Sequence, residues 1–584
     1  MNKGGTMFRK LWLLLAPFHQ TFLIFVVLAF LYETVQLGNS YVISLVVTLF
    51  GSRVAPYTWI FLVVGLLLFD ELNMRLDNAF DWHIIAKQSH PLYRYLKLSA
   101  ISKFLKMNIP WHHKHNSGTL VGKVGDGVWK TLEIVDVMSW EFVPTVVQTI
   151  ISLIPLFFIS PWVALISIIT FGLFIWLTIK GNAEKEPFRA KRQDYYEEEW
   201  NRSIASVQSI ETNLMFGQQD RLLKDQSEIH DGIIGEALKE HRLGVFKYNR
   251  WRIRILTVAR RMILVIWILQ LLHGSLSVAS LIFVSVLIER LFSNFWRFAR
   301  LLDRAAQNSE GAKRLADLLS EEEPVETGSV QIIPDKPLGI SIRDVCFAYE
   351  GEYSAEEGAL HDLSLEMEPG QVTAVVGPSG AGKTTIRKIV TRLAKCQKGS
   401  VRVGGIDIND WDGHQLLEQF SYVPQGDDVY IFDETIHYNI AFPRPEATNE
   451  EVILASKLAG IHDFILGLKD GYGTQVGERG IRLSGGQKRR VALARAILAD
   501  RPILILDEAT SAVDAITESE IQTNIRTILT GKTALVITHR LSTVWGLADK
   551  IVVMDKGKKI EEGTHAQLMS QDGLYAKMVS LQTE

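Results

Sequence analysis

The densest chemistry in the chain starts at Val372–Val376, which reads as a short buried strand, and continues through Gly377-Pro378-Ser379-Gly380-Ala381-Gly382-Lys383-Thr384 into a helical pattern. This is G-x-x-x-x-G-K-[ST] in the strand–loop–helix setting that its chemistry requires. The glycines let backbone N–H groups converge on phosphate oxygens, and the start of the helix adds partial positive charge. Lys383 is placed to neutralise β- and γ-phosphates, and Thr384 to offer its hydroxyl to Mg²⁺. Thr385 completes the run of candidate ATP-binding residues. A chance glycine-rich turn is the bland alternative, and the downstream motifs argue against it.

A second apolar strand, Ile503–Leu506, ends in Asp507-Glu508. Asp507 can hold the hydration shell of a Mg²⁺ ion, and Glu508 is placed to polarise an attacking water as general base. Two carboxylates there could instead cap the next helix, but four apolar residues before them and a phosphate loop upstream favour the catalytic reading.

Between the two strands stands Leu483-Ser484-Gly485-Gly486-Gln487. On this motif the chain resembles the ATP-binding cassette (ABC) transporter superfamily, and the arrangement of its apolar runs resembles the exporter-type subfamily. The resemblance implies that Ser484, Gly485 and Gly486, with Gln487 beside them, contact the γ-phosphate held by a partner subunit's phosphate loop. Other positions match in order. Tyr349 resembles the aromatic that stacks on adenine, and Gln425 the Mg²⁺ ligand that also senses the membrane domain. Asp514 falls in the loop that crosses the dimer interface, and His539 matches the switch histidine on the γ-phosphate. Thr474–Gly480 resembles the exporter-specific loop next to the signature. Taken singly, a surface tyrosine or histidine is structural more often than not; here the order and spacing carry the match. The signature continues as Lys488-Arg489-Arg490, a variant without evident weight. Because Glu508 and the signature are both intact, a homodimer with two working sites is favoured over a heterodimer.

These residues need a scaffold, and 584 residues exceed one ordinary domain. The composition is 47% hydrophobic, rich for a wholly soluble protein, and 62 basic against 65 acidic residues argue against nucleic acid as a partner. Cys346 and Cys396 lack any C-x-x-C spacing, so no disulfide framework is expected and a reducing cytosol suits that half of the chain. Apolar runs near 17–50, 57–77, 133–160, 161–181, 256–274 and 276–298 can each supply the roughly 20 residues needed to cross a bilayer. Lys3, Arg9 and Lys10 precede the first run, which continues too far for a cleaved leader and reads as one long retained helix. Basic residues crowd the loops between runs two and three and between runs four and five. The alternate loops are short and nearly uncharged, which puts the N-terminus and the long loops in the cytosol. The expected architecture is therefore multidomain. An all-α six-helix transmembrane domain (1–319) is followed by a linker (320–329) and an α/β P-loop ATPase domain (330–584), in a multi-pass protein of the cell (inner) membrane.

By the same resemblance, the cytosolic turns around Trp111–Thr119 and Ile210–Gln219 transmit closure of the ATPase domains to the spans. The run Trp111-His112-His113-Lys114-His115 invites a metal reading, but its spacing is poor and no carboxylate or cysteine lies nearby in sequence. Glu33, Gln36, Asn39, Ser40, Asp70, Glu71, Arg75, Arg260, Arg261, Glu289, Arg290 and Arg297 are polar positions on or near the spans. They either face a substrate cavity or lie on cytosolic helix extensions. Mixed charge there suits an amphipathic or zwitterionic cargo. The function expected is an ATP-hydrolysing half-transporter using ATP and Mg²⁺, paired with a second half in the lipid bilayer. It exports a small amphipathic molecule, lipid or peptide. An importer on the same fold and an ATP-gated channel or regulator are the alternatives.

Overall fold

The computed structural model describes residues 15–50, 56–115, 117–273, 278–321, 328, 330, 337–349, 358–507 and 524–583. The chain folds as two units: Met1–Met107 with Trp111–Pro324, and Asn108–Pro110 with Val325–Glu584.

The first unit is helical throughout its described residues. Its helices are α1 (His19–Phe50), α2 (Pro56–Ile84), α3 (His90–Lys106), α4 (Ile109–Lys114), α5 (Ser117–Asp136) and α6 (Val143–Ile159), followed by α7 (Pro161–Gln208), α8 (Ile210–Met215), α9 (Gln219–Leu243), α10 (Arg250–Leu272) and α11 (Val278–Ser320). The first apolar run forms one unbroken helix, α1, from His19 on, as expected from a stretch Tyr32–Ser40 without proline. Single π-type turns at Ile85–Ser89, Val137–Phe142 and Gly244–Asn249 carry α2 into α3, α5 into α6, and α9 into α10. A real break separates α6 from α7. There Ser160 leaves the helical region (φ −147°, ψ 83°), and Pro161, which has no N–H to lose, starts the next helix.

Among the described residues, four stretches are long and apolar enough to cross a membrane: Ala16–Val35, Leu120–Ile159, Pro161–Gln208 and Gln219–Leu272. The second and sixth apolar runs lie in α2 and α11, and the expected short loops at 51–53 and 274–275 fall outside the described residues. Leu156, Phe174, Ile263, Leu287, Phe292 and Phe295 pack α6, α7, α10 and α11 into one apolar core. The opposite faces of the same helices expose Ile154, Phe158, Ile169, Trp176 and Leu264. A soluble helix would pair such a face; a helix in lipid leaves it outward.

The second unit holds two sheets. An antiparallel sheet has the order β2-β1-β4-β5, from β1 (Ile340–Phe347), β2 (Leu360–Met367), β4 (Lys398–Val403) and β5 (Ile406–Asp407). The larger sheet has the order β10-β9-β3-β8-β7-β6. It comprises β3 (Val372–Val376), β6 (Phe420–Val423), β7 (Ile503–Asp507), β8 (Thr533–Ile537), β9 (Lys550–Asp555) and β10 (Lys558–Gly563). Its first five strands in chain order run parallel and only β10 is antiparallel. β3, β7 and β8 are buried along their whole length, which is why they read as continuous apolar runs without alternation. Because the three are parallel neighbours, the segments after Val376, after Leu506 and after Ile537 leave the sheet at one edge. That edge, outside the carboxyl ends of the strands, is where open α/β sheets bind ligands.

Candidate nucleotide-binding site

The loop after β3 is shaped by its glycines. Gly377 has φ 151° and Gly382 φ 93°, a region that L side chains rarely enter. Space adds a second constraint: a Cβ on Gly377 would lie 2.2 Å from the Met554 carbonyl oxygen, and one on Gly382 2.7 Å from that of Ala359. Gly382 then opens α12 (Lys383–Val390). Lys383 is nine-tenths buried, and its Nζ donates to the carbonyl oxygens of Gly377 and Pro378, both at 2.8 Å. The ammonium is thus held across the mouth of the loop instead of extending into solvent.

A cleft of about 720 Å³ sits over this loop. Gly377, Pro378, Ser379, Gly380, Ala381, Gly382, Lys383, Thr384 and Thr385 line it, with Tyr349, Gln425, Asp507 and His539 from four other segments. Tyr349 is exposed at the rim. Its hydroxyl lies 3.0 Å from Thr385 Oγ1, its ring meets Phe347 edge-on, and Lys388 Nζ stands 4.8 Å above it. Asp507, at the end of β7, is almost fully buried, and Arg387 Nε lies 3.7 Å from its carboxylate. Arg387 in turn stacks on Tyr422 at 4.5 Å, and burial pushes the Tyr422 hydroxyl up to about 12. Thr384, Gln425 and Asp507 bring a hydroxyl, a carboxamide and a carboxylate to one cleft. That all-oxygen donor set fits a hard divalent cation such as Mg²⁺.

The signature residues stand elsewhere. Ser484 caps α13 (Gly485–Ala499): its Oγ accepts the Gln487 N–H at 3.3 Å, while Gln487 Oε1 accepts the Ser484 N–H at 2.8 Å. Ser484 and Gly485 are exposed, and no atom lies within 4 Å of a Cβ built on Gly485. None of Ser484–Gln487 lines the cleft built on Lys383 of the same chain. Glu508 and Asp514 lie outside the described residues.

Residues in and beside the cleft escaped the motif reading, among them Met578 and Gln582, which line it, and Arg387, which stands behind Asp507. Met578 and Gln582 come from the C-terminal helix, and Arg387 from the second turn of α12. Each is an ordinary helix residue without a spacing signature; only the apolar periodicity of 575–579 hinted that the last helix packs inward.

In the helical unit, Glu33 of α1 is buried and its carboxylate meets Arg290 of α11 at 3.1 Å. Arg297 reaches Gln148 at 3.4 Å, and the Asn294 amide donates to Thr149. These polar positions form inward pairs. Arg75 with Glu71 at 2.8 Å on α2 and Arg260 with Glu289 at 3.1 Å are exposed pairs, and Asp70 and Arg261 are exposed as well. The side chains of Gln36, Asn39 and Ser40 lie outside the description. Residues 109–114 form the short helix α4, and 210–215 the short helix α8, whose Ile210, Leu214 and Met215, with Phe216, are exposed. Among the described residues no group of three or more His, Cys, Asp or Glu side chains forms a metal site.

The ABC transporter family profile matches residues 360–511, from the second strand to just past the Asp507-Glu508 pair. The chain is 31% identical to an ATM1-type heavy metal exporter of Novosphingobium aromaticivorans over 491 residues, covering 83% of this chain and 79% of that one. It therefore belongs to the ABC transporter family. Within it, a helical unit with stretches long and apolar enough to cross a membrane is fused to an ATPase-type unit, and the chain is an integral membrane protein. A solved structure of a bacterial Atm1-family ABC exporter with ATP bound superimposes with a TM-score of 0.87 at 26% identity, covering 97% of this chain and 99% of the other. Heavy metal tolerance factor 1 of Caenorhabditis elegans is 31% identical over 83% of this chain. The chain spans 60% of the length of that relative.

Proposed function

We propose that two copies of this chain form an ATP-driven exporter in which each ATP is bound by the phosphate loop of one copy and the signature of the other. The observation that carries this reading is the separation just described. Lys383, Asp507 and His539 share one cleft, whereas Ser484 and Gly485 are exposed outside it at the start of a helix, where a capped N-terminus suits an anion. A complete site then needs a second copy, and two intact half-sites favour a homodimer.

The roles proposed for the individual residues extend this reading. Backbone N–H groups of residues 377–384 bind the phosphates, Lys383 swings from its carbonyl partners to the γ-phosphate, and Tyr349 stacks the base. Thr384, Gln425 and Asp507 would hold Mg²⁺, which would supply neutralisation of phosphate charge. Glu508 accepts a proton as water attacks the γ-phosphorus and the bond to the ADP oxygen breaks. His539 stabilises the charge on the departing phosphoryl group. Closure of the two ATPase units around ATP turns the membrane cavity outward, and hydrolysis resets it. The N-terminus and the ATPase unit face the cytosol. Two relatives bear heavy-metal names, so heavy-metal species are the first cargo to test for export, ahead of lipids and peptides.

Glu508→Gln in the reconstituted protein should lower ATP turnover by about 10²-fold or more while ATP binding persists. Turnover near wild type would sink the assignment of Glu508. Uptake into inside-out vesicles, dependent on ATP and driven above the cargo gradient, separates export from import and from a channel.

A further inference from the structure

His539 lines the cleft from a short connection between β8 and the helix Leu541–Val544, and its own backbone is held from outside that connection. The Gln582 amide spans it with both of its groups. Nε2 donates to the His539 carbonyl oxygen at 2.5 Å, and Oε1 accepts the Leu541 N–H at 2.9 Å. Gln582 belongs to α14 (Leu574–Thr583), which is itself firmly seated. The Glu561 carboxylate caps the start of α14 by accepting the N–H groups of Leu574 (2.5 Å) and Tyr575 (3.1 Å). Tyr575 is fully buried with its hydroxyl 2.8 Å from His565 Nδ1, and Val579 lies in the core one turn on. Tyr575, Val579 and Gln582, at spacings of four and three, share one face of the helix, so the seating of the first two fixes where the third points. Inside the loop, Thr538 Oγ1 accepts the Arg540 N–H at 2.9 Å, which holds the turn but reaches neither the His539 carbonyl nor the Leu541 N–H.

We propose that Gln582 is a positioning residue for ATP hydrolysis, clasping the backbone on both sides of Arg540 so that the His539 side chain stays aimed at the γ-phosphate position. The assignment rests on the reading of His539 given above. Gln582 lines the same cleft, but both groups of its amide are taken up by the backbone of the connection. Its contribution is orientation, so its loss should act on turnover and leave nucleotide affinity alone.

The test uses the full-length protein in proteoliposomes. Gln582→Ala should lower kcat for ATP roughly tenfold, with KM within about twofold and the thermal unfolding midpoint unchanged. Amide exchange should quicken in a peptide covering 538–545 and nowhere else in the ATPase unit. Gln582→Glu keeps the acceptor toward Leu541 but loses the donor toward His539, and should fall with the alanine variant. Wild-type turnover in Gln582→Ala, or full activity in Gln582→Glu, overturns the proposal. So does a lowered unfolding midpoint with exchange quickened throughout, since Gln582 would then be merely structural. His539→Ala separates the two claims. If it is impaired while Gln582→Ala is normal, only the clasp fails; if His539→Ala turns over like wild type, the role of His539 fails and the clasp with it.

Discussion

Gly377 and Gly382 carry no functional group, yet they decide where Lys383 can stand, because only a residue without Cβ passes the Met554 and Ala359 carbonyls. Capping residues act by the same local logic. Thr448 and Glu451 form a reciprocal box at the start of a helix: Glu451 Oε2 accepts the Thr448 N–H at 2.7 Å and Arg444 approaches at 2.8 Å. The Thr448 N–H first, and Arg444 with it, hold the Glu451 carboxyl below the usual carboxylate range. A depressed folded value means that the unfolded chain binds the proton more readily. The stabilisation is therefore fully present above the unfolded value of about 4.3 and is lost as pH falls through the folded one. Unfolding midpoints measured from pH 6 down to pH 3 should drop less steeply for Glu451→Gln, which can keep the box but cannot titrate. Parallel curves for the two proteins would show that the box adds no acid sensitivity.

The 48 residues of α7 make a rod of about 72 Å, more than twice a hydrocarbon core, so half of it must stand in water. Its aqueous half is tied to its neighbours by charge. Arg189 meets Glu240 of α9 at 2.6 Å and Asp303 of α11 at 3.2 Å, Lys185 meets Asp303 at 3.0 Å, and Arg192 meets Glu240 at 2.7 Å. Arg189 and Glu240 are more than nine-tenths buried, so removing one partner strands the other. Glu240→Ala should cost about 3–5 kcal/mol, read as a lower unfolding midpoint in detergent, and the double variant Arg189→Met/Glu240→Leu should recover most of it. Equal losses in the single and double variants would mean that packing, and not the stranded charge, sets the cost.

For the assembled molecule, the sharpest consequence of the proposed sharing of sites between two copies is complementation. Lys383→Ala homodimers lack both phosphate loops, and Gly485→Asp homodimers lack both signatures. A mixed dimer holds one doubly damaged site and one intact site. Co-expression should therefore restore roughly a quarter of wild-type ATPase activity, given random pairing and independent sites, although each variant alone is inactive. Failure of the co-expressed pair to exceed either parent would exclude the shared-site arrangement.

Much of this was legible in the sequence because it depends on local physics. A phosphate loop needs glycines at set spacing, a buried parallel strand needs a run of apolar residues, and a membrane helix needs length and hydropathy. Hence β3, β7 and β8 and the long first helix lie where the residues alone placed them. The ATP-site residues from Tyr349 to His539 were named by spacing and resemblance, but nothing in their spacing says which of them share a cleft. Register and strand order decided that, by bringing the ends of β3, β7 and β8 to one edge and leaving Ser484 off it. Gln582, Arg387 and the pairing of Glu33 with Arg290 were out of reach for the same reason. Glutamine, arginine and glutamate are common helix residues, and what sets these apart is a partner between 120 and 257 positions away, or 41 for Gln582 and Leu541, that only the packed chain brings within hydrogen-bonding or ion-pair distance.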